Sequence, residues 1–225
     1  VPDIAGDTSG KYEGVYLNRF LQSTYVPGSI FKIVTTAAAL ECVPDIESRT
    51  FTCTGSYEYG TEAVTCERAH GTLDLKGALA HSCNCIFAQI AQLVGRKNME
   101  KYVAKYGITD AVSFDGVTSA KGNYDIKDTG GASFAWSCIG QHSDLINPAR
   151  FMTFVGTIAA GGKGVEPYLV SDVTRGEETL YTASGKSIGR IMSEATAKKL
   201  QQYLRNNVRT IYGDGNFPGL SVCAK

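Results

Sequence analysis

The sequence predicts an α+β fold over a single domain, 1–225, and three observations carry that prediction. Apolar residues recur at helical spacing in several stretches bounded by Gly, Pro or Asn. β-Branched and aromatic runs come in pairs around short polar turns, the pattern of antiparallel hairpins. The two kinds of segment are interspersed, without the regular strand–helix alternation that a doubly wound parallel sheet needs. The chain has 225 residues, 43% hydrophobic and 20% charged, enough to fold around a core without covalent staples.

The elements follow in order. Residues 1–25 are polar, Gly-rich and aromatic, and read as an extended arm or loop. In YVPGSIFKIVTTAAAL (25–40), Pro27 and Gly28 punctuate the chain, and Phe31, Val34, Thr35 and Ala38 recur at helical spacing. This helix stops before Pro44, with Ser29 in its first turn and Lys32 one turn on, on the same face. Residues 51–67 read as a hairpin. Thr72 or Asp74 opens the next helix, 83–94 is an amphipathic helix ending at Gly95, and 98–106 is another ending at Gly107. The stretch 108–137 reads as loop-rich, with DTGGASF its most breakable point. Asn147 caps a further helix, Pro148 takes its first position, and Gly161 and Gly162 stop it. A hairpin then turns at 175–177. SEATAKKLQQYLRNNV (193–208) is the last long helix, with Ser193 as cap and Glu194 in its first turn. GLSVCAK reads as a short strand ending at Lys225.

Composition excludes several classes. Lys plus Arg equals Asp plus Glu at 22 each, and no basic run occurs, which argues against nucleic acid or an anionic membrane surface as partner. No apolar stretch reaches membrane-spanning length, and the first residues, VPDIAGDTSG, carry no signal-peptide pattern. An exported protein would have lost its address or would carry it upstream of Val1.

Seven cysteines leave at least one unpaired within the chain. Cys53 and Cys66 flank TGSYEYGTEAVT, and opposite positions on such a hairpin can form a disulfide, suited to an extracytoplasmic location. A zinc reading adds His70 but needs a fourth ligand, and no second close Cys or His pair supplies one at the usual spacing. The disulfide is therefore placed ahead of zinc. Cys83 and Cys85, together with Cys42, Cys138 and Cys223, read as buried thiols or small core residues.

Three stretches offer chemistry. SGKS (184–187) has the tail of a phosphate-binding loop, but Leu180 stands where the first glycine belongs, so it reads as a solvated turn. His70, His81 and His142 are scattered, and a Ser-His-Asp triad has no local support. The Ser29/Lys32 pair is the better candidate. A serine hydroxyl needs a base within hydrogen-bond reach, and a lysine one turn away serves if burial or nearby positive charge lowers its pKa. Amides at a helix start would favour the developing oxyanion. The stretch alone leaves two readings open, since serine is equally a favoured N-cap.

Distant motifs tip that balance. PGSIFK, preceded by Tyr25 and by NRF at 18–20, resembles the active-site segment of the penicillin-binding transpeptidases, class B-like members of the serine β-lactamase/DD-peptidase superfamily. HSCN, containing Ser82-Cys83-Asn84 and followed by CIFAQIAQLVG, is similar to the family's Ser-x-Asn motif between two helices. SVCAK resembles the approach to its third motif, Lys-Thr/Ser-Gly, and IGQHSDLINPARFMTFVGTIAAGGKGVEPYLV follows the family's order. The similarity runs from about Asn18 to the end. It implies an antiparallel sheet packed by helices, with an adjoining helical lobe and the active site at their junction. The family pattern also places Thr-Gly and further strands after Lys225, and a strand before the serine segment. The chain is thus expected to be incomplete at both ends.

The resemblance implies a peptidoglycan DD-transpeptidase working through a serine acyl-enzyme. Ser29 is the expected nucleophile, Lys32 its base and Ser82 a proton relay; Asn84 and Lys225 bind the donor peptide. No metal or organic cofactor is expected. The expected partners are D-Ala-D-Ala stem peptides and β-lactams, with a cell-wall synthesis or division complex and a membrane anchor outside this chain. The expected location is the extracytoplasmic face of the bacterial cell membrane. Rival readings are a serine β-lactamase, for which no deacylating carboxylate is recognisable, and a non-catalytic β-lactam sensor of the same fold.

Overall fold

The computed structural model describes residues 6–127 and 130–225, and its architecture is organised around one helix buried on every side. The chain enters through a short helix, α1 (Arg19–Gln22), whose Phe20 and Leu21 amides donate to Asn18 Oδ1. A 3-10 turn, Gly28–Phe31, leads directly into α2 (Lys32–Cys42). Every residue of α2 from Lys32 to Ala39 is buried. A helix apolar on all faces can only be a core helix. Its two threonines fit because their hydroxyls donate to carbonyls, Thr36 to Lys32 and Thr35 to Cys138.

A strand-rich segment follows: β1 (Thr50–Cys53), β2 (Ser56–Tyr59), β3 (Glu62–Thr65) and β4 (Gly71–Asp74). β2 and β3 form the expected hairpin, with Ser56 opposite Thr65, whereas β1 pairs antiparallel with β4, Cys53 opposite Gly71. Asp74 caps α3 (Leu75–Ala80) by accepting from the Gly77 amide, and α4 (Asn84–Val94) ends at Gly95 with φ +75°. Next come α5 (Arg96–Lys105), the small ladder β5 (Ser113–Phe114) with β6 (Val117–Thr118), and α6 (Gly131–Ile139). Asn147 caps α7 (Pro148–Ala159) through its side-chain oxygen, while its buried amide nitrogen donates to the carbonyls of Leu21 and Ser23. β7 (Lys163–Val165), β8 (Asp172–Arg175), β9 (Glu178–Thr182) and β10 (Ser187–Arg190) lead to α8 (Glu194–Asn207), capped by Ser193. The fold is α+β, as expected, and the strands form five two-stranded antiparallel ladders among the described residues. Helices α3, α4, α5, α6 and α8 all pack on α2. Each fully buried Val, Leu, Ile or Phe of this core contributes about 1.5–3 kcal/mol.

Four expectations are corrected. The arm over 1–25 contains α1, because Asn18 supplies a cap that composition alone conceals. The stretch read as loop over 108–137 contains α6, whose Ala, Phe and Trp residues are held by α4 rather than by propensity. Of the DTGGASF stretch, Asp128 and Thr129 lie outside the described residues, and Gly131 onward is helical. GLSVCAK is extended but forms no ladder; it runs beside α8, where the Ala224 amide donates to the Leu204 carbonyl and Asn207 Nδ2 to the Ala224 carbonyl. Finally, no Cys53–Cys66 disulfide forms, and all seven cysteines are unbridged. Cys53 belongs to the β1–β4 ladder rather than to the β2–β3 hairpin, so the two cysteines are not cross-strand partners. No helix among the described residues is long and apolar enough to cross a membrane.

Candidate active site

Ser29 lies in the 3-10 turn that precedes α2 and does not act as a cap. Neither Pro27 before that turn nor Phe31 before α2 makes a side-chain capping bond, and the Ser29 hydroxyl instead faces Lys32 Nζ at 3.0 Å. The turn is seated by the segment after α6: the Gly28 amide donates to the Gly140 carbonyl at 2.8 Å. Gly140 has φ +94°, and a Cβ there would overlap the Gly28 carbonyl and Phe31. Phe31 in turn stacks on Tyr124, ring centroids 5.4 Å apart. Ser29 is exposed while Lys32, one turn on, is 0% exposed.

The Ser-x-Asn stretch reaches Lys32 from fifty residues away. Ser82 follows α3, in the left-handed region at φ +54°, which is uncommon for serine. Lys32 Nζ lies 3.0 Å from the Ser82 carbonyl, 3.1 Å from Ser82 Oγ and 2.7 Å from Asn84 Oδ1. Asn84, the first residue of α4, is oriented by its Nδ2, which donates to the Thr65 carbonyl at 3.0 Å. Its oxygen is therefore the atom turned to the lysine.

These four oxygens constrain the protonation of Lys32. The Ser82 carbonyl and Asn84 Oδ1 can only accept, whereas the two hydroxyls can also donate. A neutral amine serves three of the four, with two N–H bonds to the obligate acceptors and a lone pair left for the proton of one hydroxyl. Burial favours that form: it lowers the Lys32 pKa, and the positive charge of Lys225 lowers it further, to about 7, against smaller opposing contributions from Cys66 and Cys83. The Phe87 ring, 5.7 Å from Nζ, helps exclude water. Lys225 is half-buried at the end of the extended segment beside α8, and burial lowers its own pKa to about 8. Four of the five sequence-predicted residues meet by direct hydrogen bonding, and Lys225 bears on them through its charge, which lowers the Lys32 pKa.

A cleft of about 500 Å³ opens at this point, lined by Ser29, Ser82 and Asn84 together with Cys66, His70 and His81. No catalytic serine–histidine pair forms among the described residues; the His142 ring contacts Ser143, and His81 lies against His70 with ring centroids 5.9 Å apart. SGKS is an exposed turn, with Lys186 paired to Glu166. Sequence reasoning missed the seating role of Gly140, for which a glycine closing the apolar run before Gln141 was the available signal. It also missed that Cys83 joins Cys53, Cys66 and His70, whose ligand atoms all lie within 4.8 Å of one another.

A serine hydroxyl hydrogen-bonded to a buried lysine of lowered pKa, with a second serine and an asparagine on the same nitrogen, has the layout of a Ser-x-x-Lys site, in which the lysine can act as base to the serine. The sequence agrees: residues 4–225 match the penicillin binding protein transpeptidase domain, and the chain belongs to that family. It is 27% identical over 218 residues to the peptidoglycan D,D-transpeptidase PbpA of Mycobacterium tuberculosis, covering 92% of this chain and 44% of that protein. It is 26% identical to the stage V sporulation protein D of Bacillus subtilis, covering 83% of this chain and 30% of that protein. The chain therefore spans less than half the length of these curated relatives. Among solved structures, the D,D-transpeptidase domain of a peptidoglycan glycosyltransferase from Eggerthella lenta superposes with a TM-score of 0.81 at 25% identity, covering 92% of this chain and 54% of that one. The penicillin G acyl-enzyme complex of penicillin-binding protein A from M. tuberculosis gives 0.79 at 25% identity, covering 92% and 48%.

Proposed function

We propose that this chain carries the acylation centre of a peptidoglycan D,D-transpeptidase and that Ser29 is the acylated residue. The observation that carries the reading is the 3.0 Å contact between Ser29 Oγ and the buried, pKa-lowered Nζ of Lys32. Ser29 Oγ attacks the carbonyl carbon of the penultimate D-alanine of a stem peptide as its proton passes to Lys32 Nζ. The first amides of a 3-10 turn have no carbonyl partner within the turn, so the Ser29 N–H is suited to face the oxyanion. When the tetrahedral intermediate collapses, the bond to the terminal D-alanine breaks, and its nitrogen takes the proton from Lys32 through Ser82 Oγ, 3.1 Å away. An amine of a second stem peptide then attacks the ester, and Ser29 recovers its proton by the reverse route. Asn84 orders the lysine and offers its amide to the donor, and Lys225 supplies positive charge for the donor carboxylate.

The reading extends to the setting. A D-Ala-D-Ala substrate places the domain on the extracytoplasmic side of the cell membrane, with an anchor and any cell-wall assembly partner contributed from outside this chain. β-Lactams, which present a strained amide to the same serine, act as slow-leaving substrates.

Mass spectrometry after benzylpenicillin treatment of the full natural chain tests the assignment. The expected result is one penicilloyl adduct, mapped to Ser29 and lost in Ser29→Ala. An adduct on another residue overturns the nucleophile, and its absence favours a non-catalytic sensor. Turnover of a chromogenic cephalosporin over many cycles per serine favours a β-lactamase.

A further inference from the structure

Beside the acylation centre, three thiols and an imidazole drawn from residues 53 to 83 meet at one point, and the transpeptidase reading uses none of them. Twelve residues separate Cys53 from Cys66, three separate Cys66 from His70, and twelve separate His70 from Cys83. Cys53 ends β1, Cys66 follows β3, His70 precedes β4, and Cys83 sits immediately before α4. Three chain segments therefore deliver the ligand-type atoms, the end of β1, the β3–β4 connection and the start of α4, and all four atoms fall within 4.8 Å of one another.

The spacing within the cluster is specific. Cys66 Sγ and Cys83 Sγ are 3.7 Å apart, and Cys53 Sγ is 3.6 Å from His70 Nδ1. A disulfide would require about 2.05 Å between sulfurs. Tetrahedral zinc, with Zn–S of about 2.3 Å and Zn–N of about 2.0–2.1 Å, places two thiolate sulfurs about 3.8 Å apart and sulfur and nitrogen about 3.6 Å apart. These two separations match edges of that tetrahedron, and the remaining four lie within 4.8 Å. One of the sulfurs also receives a backbone amide. The Cys85 amide donates to Cys66 Sγ at 3.3 Å, and Cys53 Sγ lies 3.9 Å from the Arg68 carbonyl. Such outer bonds orient ligands and are expected around a metal. Cys53 and Cys83 are buried, and Cys66 and His70 half-buried.

We propose that Cys53, Cys66, His70 through Nδ1, and Cys83 hold a structural zinc ion at the edge of the acylation cleft. Three thiolates and one imidazole form a closed four-ligand set that leaves no position for substrate, so the ion's role is to brace rather than to react. What it braces is defined by the chain. Cys83 lies between Ser82 and Asn84, the two residues that bond Lys32 Nζ, and Ser82 occupies a left-handed conformation that needs external support. An ion on Cys83 fixes that turn to the ends of β1 and β3. The zinc is thus a positioning element for the Ser82 and Asn84 side chains, through the backbone they share.

The test uses the full chain, purified without chelator from zinc-supplemented cells, with metal measured by inductively coupled plasma mass spectrometry. About one zinc per chain is expected, as is replacement by cobalt(II) with the intense visible bands and sulfur-to-cobalt charge transfer of a tetrahedral thiolate site. Cys66→Ser, at a half-buried ligand, is expected to lower zinc retained after dialysis by roughly tenfold or more, and Cys42→Ser, remote from the cluster, to leave it unchanged. Ser29→Ala is expected to keep the zinc while abolishing acylation, so failure of either reading is visible without the other. Folded wild-type chain with less than about a tenth of a zinc, cobalt without sulfur charge transfer, or a Cys66–Cys83 disulfide in the native protein each overturns the proposal. The wild-type stoichiometry and cobalt spectrum decide it even if Cys66→Ser does not fold.

Discussion

Asn84 Oδ1 lies 2.7 Å from Lys32 Nζ, the shortest of the four contacts that this nitrogen makes, and the Asn84 amide is locked in that sense by the Thr65 carbonyl. The pair separates two properties that are usually confounded, the position of the base and its charge. Asn84→Asp preserves the shape but places a carboxylate against the lysine, which raises the lysine pKa and holds its proton. Acylation by penicillin at pH 7 should slow by roughly tenfold or more, and recover as pH is raised. A stopped-flow or gel-based acylation profile from pH 6 to 10 measures it; an unchanged acid limb would remove Lys32 from the role of base.

The pH profile of the unaltered protein carries a second expectation. Lys32 accepts the serine proton only when neutral, and burial with the Lys225 charge brings that transition from 10.5 to about 7. Lys225, lowered by burial to about 8, is charged below that value and neutral above it. Acylation should therefore rise through about pH 7 and weaken above about pH 8, giving a bell in kcat/KM. The two limbs are assigned to different steps. The acid limb belongs to the acylation rate at saturating ligand, whereas loss of the Lys225 charge weakens carboxylate binding and raises KM.

How much of this was legible before the structure depends on sequence distance. Ser29 and Lys32 are three residues apart, so helical geometry alone brings them together, and the caps at Asp74, Asn147 and Ser193 lie where local rules place them. Ser82 and Asn84 reach Lys32 across fifty residues and were found through motif order, because no local rule links α2 to α4. Cys83 escaped as a ligand for a related reason. β4 and α3 separate it from His70, and no short spacing marks it. α6 was read as loop because its glycine-rich approach outweighed an apolar pattern that only packing against α4 makes decisive. The terminal GLSVCAK has the composition of a strand but pairs with helix-end groups of α8, a choice set by tertiary contacts.

Gly140 and Gly28 should respond differently to the same substitution, although both have positive φ. At Gly140, φ +94°, an added Cβ collides with the Gly28 carbonyl and Phe31, both part of the turn that carries Ser29. At Gly28, φ +58°, it meets only Gln141 Nε2, at 3.6 Å. Gly28→Ala should cost roughly 1 kcal/mol of backbone strain, and Gly140→Ala roughly 1–3 kcal/mol more for displacing backbone. Thermal denaturation reads the stability difference. The Gly140 variant should also lose acylation rate at a temperature where both remain folded, because the displaced element bears the nucleophile. Equal rates in the two variants would sink the seating role.

Asp144 contributes a pH dependence of its own, in stability rather than in acylation. It is fully buried, without an ion-pair partner among the described residues, and burial raises its carboxyl to about 8. The nearby Ser137 hydroxyl offsets only part of that rise, and neither carboxyl oxygen has a hydrogen-bond partner among the described residues. In the unfolded chain the group titrates near its ordinary 3.8. Below 3.8 both states hold the proton and the group adds no pH dependence. Between 3.8 and about 8 the folded state binds more protons than the unfolded one, so stability falls as pH rises, and above about 8 the loss is complete. Asn keeps the shape and hydrogen-bonding capacity of the neutral acid without its titration. Asp144→Asn should therefore leave Tm nearly unchanged at pH 4 and raise it at pH 8 by roughly 2–4 °C for every 1 kcal/mol of relieved charge burial. Scanning calorimetry of both proteins across that range measures the gap, which must widen with pH; a constant gap, or one that closes, would show that Asp144 folds already ionised.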